Sequence, residues 1–147
     1  MTTNVAVKRL TQSARLPSYT TEGAAGFDLY ADLKTDISIG PMERVMVPTG
    51  IAIQISDKNL CALCYARSGL AIKHGITLSN GVGVIDNDYT GEIMVGLVNL
   101  SNEAYTIQPH DRIAQIVLTP VVRGIFTQTE EFEQTQRGDG GFGSTGR

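Results

Sequence analysis

Short runs of strand-forming residues, cut by glycine, proline and asparagine, make up almost the whole sequence, and only Ala66–Lys73 reads as a helical turn. The pattern supports an all-β fold with one short helix. Ile51, Ile53 and Ile55 line one face of a strand while Ala52 and Gln54 take the other. Phe27, Leu29 and Ala31 alternate with Asp28 and Tyr30 in the same way, which puts Asp28 on the second face. Further strands are expected around Val5 and Val7, over Thr35–Ile39, Arg44–Val47, Leu60–Tyr65 and Glu92–Leu100, and from Arg112 onward. Gly75 should close the helical turn just past His74.

At 147 residues the chain fits one domain. A net charge of −3 gives no broad basic field for duplex nucleic acid, so any anionic ligand must be held by a few arginines and backbone amides. No run approaches the roughly 18 apolar residues of a membrane span. The chain reads as one that stays where it is made, cytoplasmic or otherwise intracellular, with a nuclear location open for a eukaryotic or viral host. Cys61 and Cys64 have CxxC spacing, but a separation of three in a strand points them to opposite faces, and no second pair completes a zinc site. They read as buried small hydrophobes.

Three places look less like scaffold. In NGVGVIDNDYTGE, from Asn80 to Glu92, Asp86, Asp88 and Tyr89 follow an apolar run and precede another strand, which suggests a hairpin with Asp86 at its lip. The two aspartates are either turn residues bonding their own backbone or carboxylates poised at a site rim. Arg67, Ser68 and Gly69 stand where a strand hands over to the helical turn. They form either an anion-binding junction or a short helix capped by Ser68. Gln115 lies on a row with Ile113 and Val117 and needs a partner there. Neither His74 nor His110 looks catalytic. The chain turns polar and acidic after Gly124 and ends in RGDGGFGSTGR, where Arg137, Phe142, Ser144 and Thr145 sit among glycines suited to wrapping an anion.

Taken together, AAGFDLYA at 24–31, ARSGL at 66–70, GVGVIDNDYTGEI at 81–93, RIAQIV at 112–117 and RGDGGFGSTG at 137–146 resemble, in order and spacing, the five motifs of the trimeric dUTP pyrophosphatase (dUTPase) family. The resemblance implies a distorted antiparallel β-barrel of jelly-roll (β-clip) type over 1–136, a glycine-rich lid over 137–147, and a homotrimer with active sites at subunit interfaces. It implies magnesium-dependent hydrolysis of dUTP to dUMP and pyrophosphate by water attack at the α-phosphate. That activity limits uracil incorporation into DNA and supplies dUMP for dTMP synthesis.

By the same resemblance Asp86 is the general base, Tyr89 the ring against the deoxyribose, and Asn80 a reader of uracil. Arg67, Ser68 and Gly69 form the phosphate turn, and Gln115 stands near the α-phosphate and the metal's waters. Arg137 and Ser144 with Thr145 clamp the γ-phosphate, Phe142 covers the base, and Gly143 belongs with them to the substrate-binding set. Mg²⁺ is held mainly by the triphosphate and waters, with Asp28 and Gln115 in support. Ala66 and His110 depart from the family pattern, which often has proline and glycine there, and His110 strains its turn if that position needs positive φ. The competing readings are a dCTP deaminase-like enzyme, or a nucleotide-sensing or regulatory protein on the same fold.

Overall fold

Alternating apolar residues organise the computed structural model, which describes residues 2–141, into strands with one helix between them. In chain order they are β1 (Val5–Arg9), β2 (Ser18–Tyr19), β3 (Phe27–Tyr30), β4 (Ile37–Ile39), β5 (Arg44–Pro48), β6 (Ile51–Ile55), β7 (Leu60–Tyr65), α1 (Ser68–His74), β8 (Ile76–Leu78), β9 (Gly83–Ile85), β10 (Met94–Asn99), β11 (Tyr105–Ile107) and β12 (Arg112–Pro120). All ladders are antiparallel, in the sheet orders β1-β6, β5-β10-β8, β11-β4 and β2-β3-β12-β7-β9. The ladders do not close into one continuous barrel, and the result is a distorted, jelly-roll-like arrangement of sheets around a shared core. Among the described residues no helix is long and apolar enough to cross a membrane.

The core joins Leu29 of β3, Val47 of β5, Ile51 of β6, Leu97 of β10, Ile107 of β11 and Ile116 of β12. Burying a side chain of this size contributes about 1.5–3 kcal/mol, more than a typical net hydrogen bond at about 1 kcal/mol, so inward rows decide how the sheets pack. The β10 row shows the rule and one exception. Val95 and Leu97 point inward as expected, but the next inward position is Asn99, fully buried at 0% exposure. Its Nδ2 donates to the Ile39 carbonyl at 2.8 Å and the Glu103 carbonyl at 2.7 Å, while its Oδ1 accepts from the Ser101 N–H at 2.9 Å and hydroxyl at 2.8 Å. Every hydrogen-bonding site of this amide is used, which is what makes its burial tolerable.

Helix α1 is too short to stand alone and has no fully buried residue; Leu70 packs against the core and the C-terminal end is closed by Gly75. Gly75 adopts a left-handed φ of 69° and donates to Ala71 O, as the sequence suggests. A Cβ at Gly75 would come within 2.8 Å of the Ser101 nitrogen. The N-cap is Arg67, with no side-chain cap bond, and Ser68 is the first helical residue; the expected Ser68 cap is therefore not formed.

Three other expectations change. The hairpin across Asp86–Gly91 does not form: β9 pairs with β7, while β10 pairs with β5 and β8, so the segment between them crosses from one sheet to another. Its far end is captured by the β5–β6 turn. There Ile93 N–H donates to Ile51 O at 2.9 Å, Thr49 Oγ1 donates to Ile93 O at 2.6 Å, and Gly50 N–H donates to Glu92 Oε1 at 2.9 Å. The row Ile113–Gln115–Val117 is broken by a register shift between Arg112 and Ala114, which leaves Ile113 buried and Gln115 half-buried. Ala52, assigned to the outer face of β6, is buried although it lies outside the core cluster that holds the isoleucines; it sits opposite Lys8 on the β1 ladder, while Gln54 on the same face is exposed. The cysteines behave as read: both are free and buried.

Replacing Asn99 with alanine should lower the unfolding free energy by about 3 kcal/mol, since it strands two carbonyls and two Ser101 donors. Urea unfolding checks this, and a loss below about 1 kcal/mol would show that water substitutes for the amide. Burial pushes the Cys64 thiol up to about 11 from 9.0. Between those values the folded chain keeps a proton that the unfolded chain has lost. The Cys64 contribution is thus complete below pH 9 and disappears as pH rises to 11. Wild-type stability should therefore fall more steeply than that of Cys64→Ala across this range, by about 2 kcal/mol in the difference. Parallel slopes in denaturant titrations at pH 8 and pH 11 would refute it.

Candidate functional site

One register row brings three distant segments together. Gln115 on β12 lies opposite Asp28 on β3 and opposite Tyr65 on β7, so the strand leading into Arg67, Ser68 and Gly69 ends beside Asp28 and Gln115. These residues line a cleft of about 540 Å³ with Thr20 and Gly26. Asp28 is 6% exposed, although a strand aspartate is usually solvated. Its Oδ1 accepts from Arg67 Nε at 2.9 Å, and its Oδ2 from Arg112 Nη1 at 3.2 Å and Thr20 Oγ1 at 3.2 Å. Arg67 and Arg112 are themselves only partly buried, so water shares in holding the arginine ends of these pairs. One carboxylate between two guanidinium groups leaves an excess of positive charge at the cleft.

Asp28 grips Arg67 by its Nε edge, and Arg67 Nη1 reaches the Arg112 carbonyl at 3.5 Å. Among the described residues Nη2 has no hydrogen-bond partner, so the outer end of the fork remains available for an anion. The first helical bond runs from Ala71 N–H to Arg67 O, which leaves the amides of Ser68, Gly69 and Leu70 outside the helical ladder. Ser68 and Gly69 are exposed. Gln115 Nε2 donates to Ala66 O at 3.0 Å, the backbone partner its position demands, and this braces the turn from behind.

A second cavity, of about 300 Å³, is lined by Asn80, Asp86 and Tyr89 with Cys64, Ile93 and Gly96. Gly83 lets β9 sit close to β7, since a Cβ there would meet the Cys64 Cβ at 3.0 Å. Val82, Val84 and Asp86 are all exposed, and Val84 lines this cavity with Asp86. The Asp86 carbonyl accepts from Tyr89 N–H at 3.2 Å. Neither the Asp86 nor the Asp88 side chain takes a hydrogen bond or ion pair among the described residues, so the turn is closed by backbone and leaves both carboxylates unengaged. The arrangement offers an acid, an amide and an aromatic ring around a mostly apolar hollow.

The two cavities share no lining residue. Within one chain the structure joins Arg67, Ser68, Gly69, Gln115 and Asp28 in one place and Asn80, Asp86 and Tyr89 in another. Arg137 is exposed, lines neither cavity, and donates from Nε to Gly140 O at 2.9 Å. Phe142, Gly143, Ser144 and Thr145 lie outside the described residues. Sequence reading did not single out Arg112 or Thr20 as partners of Asp28. Arg112 is 84 positions away, and only the β3–β12 register reveals the pairing. His110 has a φ of 67°, the strained conformation anticipated for a non-glycine residue there, and His74 packs on Tyr105 with ring centroids 4.7 Å apart.

Comparison with known proteins agrees in sequence and in fold. The dUTPase family model matches residues 12–146. The chain is 49% identical over 151 residues to the deoxyuridine 5'-triphosphate nucleotidohydrolase of Aeromonas salmonicida, covering 100% of this chain and 99% of the relative. It is 52% identical over 133 residues to the same-named protein of Leptothrix cholodnii, covering 90% of this chain and 89% of that one. The solved structure of Staphylococcus bacteriophage 80alpha dUTPase with dUPNHPP matches with a TM-score of 0.87 at 26% identity, over 98% of this chain and 99% of that chain. With a family model and close relatives spanning nearly its whole length, the chain belongs to the dUTPase family.

Proposed function

We propose that this protein hydrolyses dUTP to dUMP and pyrophosphate, and that it does so as a homotrimer whose active sites each combine the two cavities from different subunits. The observation that carries the reading is the division of labour between them. One offers a free carboxylate, an amide and a ring, as a deoxyuridine and an attacking water require. The other offers an arginine fork and open amides, as a triphosphate requires. The named relatives are nucleotidohydrolases of deoxyuridine 5'-triphosphate, which supports the same substrate.

In this reading Asp86 takes a proton from a water whose oxygen bonds to the α-phosphorus as the bond to the departing pyrophosphate breaks. Asn80 and the nearby backbone read uracil, and Tyr89 occupies the space a 2′-hydroxyl would need. Arg67, Ser68 and Gly69 hold phosphate oxygens, with Asp28 keeping Arg67 in place and Gln115 bracing the turn. Arg137 with Phe142, Gly143, Ser144 and Thr145 closes over the bound nucleotide.

The donor set also suits magnesium. No group of three or more His, Cys, Asp or Glu residues clusters among the described residues, and both Asp28 oxygens are already taken by Thr20, Arg67 and Arg112. That fits an ion carried by triphosphate oxygens and waters beside Asp28 and Gln115 rather than by a protein cage. Such an ion supplies neutralisation of the charge that gathers on the phosphates.

Subunit association finds support beyond β12, where Val122, Ile125, Phe126 and Phe132 are each at least 90% exposed. Large apolar side chains displayed in this way call for another surface to cover them. Nucleoside triphosphates are made and consumed inside cells, which places the activity there.

Pyrophosphate release from dUTP, with UTP, dTTP and dCTP alongside and with or without Mg²⁺, tests the function. Magnesium-dependent release from dUTP alone is expected. Ammonia from dCTP would support a deaminase, and tight binding without turnover a sensor. Asp86→Asn should leave dUTP binding intact while lowering kcat by roughly 10²–10⁴-fold. Loss of binding instead would make Asp86 structural. Deleting residues 137–147 should keep the oligomer seen by size-exclusion chromatography but reduce kcat/KM by roughly 10²-fold or more, and full activity in that truncation would remove the lid from the mechanism.

A further inference from the structure

The Tyr89 ring does not stand free in its loop. Its hydroxyl donates to the Glu92 carbonyl at 2.9 Å, so the side chain folds forward along its own backbone. Between those two points lies Gly91. A Cβ built on Gly91 would come within 2.6 Å of the Tyr89 hydroxyl oxygen, 2.7 Å of Cζ and 3.1 Å of Cε2. The first two distances are shorter than real Cβ atoms show and the third is tight, and all three atoms belong to one side chain. The φ of Gly91 is not positive, so its backbone conformation is open to any residue. What the glycine supplies is an absent side chain beneath an aromatic ring.

We propose that Gly91 is a specificity-determining residue: its bare Cα is the floor on which Tyr89 lies, and together with the Glu92 carbonyl it fixes where the ring stands in the cavity shared with Asn80 and Asp86. The inference rests on the reading of Tyr89 as the filter against a 2′-hydroxyl, and deepens it. Any side chain at position 91 lifts the ring and breaks its bond to Glu92 O. The disturbance stays local, because Tyr89 is 47% exposed and swings into solvent rather than into the core. Gly91 is itself exposed, and the three atoms nearest to an added Cβ all belong to the ring side chain. A displaced ring leaves room at the sugar, and the discrimination lost is that against an added hydroxyl, which steric pockets enforce by on the order of 10²-fold.

The test compares kcat/KM for dUTP and UTP in the full-length protein, in Gly91→Ala, in Tyr89→Ala and in the double variant. The dUTP-to-UTP ratio should fall about tenfold or more in Gly91→Ala, while the thermal midpoint stays within about 3 °C of wild type. In the Tyr89→Ala background the second change at 91 should leave the ratio where Tyr89→Ala alone puts it, because the ring through which it acts has gone. An unchanged or increased ratio in Gly91→Ala, with Tyr89→Ala lowering it, overturns the role of Gly91 and leaves Tyr89 as the filter. An unchanged ratio in Tyr89→Ala overturns both.

Discussion

The register that sets Gln115 between Asp28 and Tyr65 is the constraint on which the cleft proposed to take the phosphates depends. A slip of one residue on either ladder would turn Asp28 away from Arg67, and with it the one carboxylate that grips that side chain among the described residues. The register shift between Arg112 and Ala114 sets this alignment, since beyond it Ala114, Gln115 and Ile116 meet Leu29, Asp28 and Phe27 in step. Apolar burial on both sides of Gln115, by Ala114 and Ile116, then holds the row against slipping. A polar function is thus aligned by an apolar lock.

The other half of the proposed site is positioned by the opposite device, a segment that leaves one sheet for another. β9 belongs with β7, and β10 with β5 and β8, so the residues between them are tied down only at their ends. At one end Gly83 sits close against Cys64. At the other, Thr49, Gly50 and Ile51 seize Glu92 and Ile93. A hairpin would have paired the carboxylate loop with its own flanking strands. The crossing turns Asp86 and Tyr89 outward to a separate hollow, where a second surface can meet them.

Much of this was legible in the chain. Most strand positions, the helix end at Gly75 and the burial of both cysteines follow from local rules of period and turn chemistry, because such rules report the conformation of a few neighbouring residues. The short β2 and β8 were not legible this way. Partner choice is different. Val84 and Met94 both lie in strands, yet nothing local says that these strands choose different neighbours. The Asp28–Arg112 pair and the bulge that moves Gln115 off the Ile113 row have the same character. Each arises from packing between segments far apart in sequence, which periodicity does not record. The ordered motifs suggested one site, and among the described residues the structure places their side chains at two separate cavities.

The separation of the two cavities has a consequence in genetics. In the proposed trimer, an allele damaged at Asp86 and another damaged at Arg67 are each inactive alone, since every site then lacks one half. Co-expressed, they form mixed assemblies in which the sound carboxylate half of one chain faces the sound arginine half of another. Two null alleles of one gene then complement each other, whereas two alleles damaged in the same half do not. The pattern of complementation among mutants would draw the boundary between the half-sites without reference to coordinates.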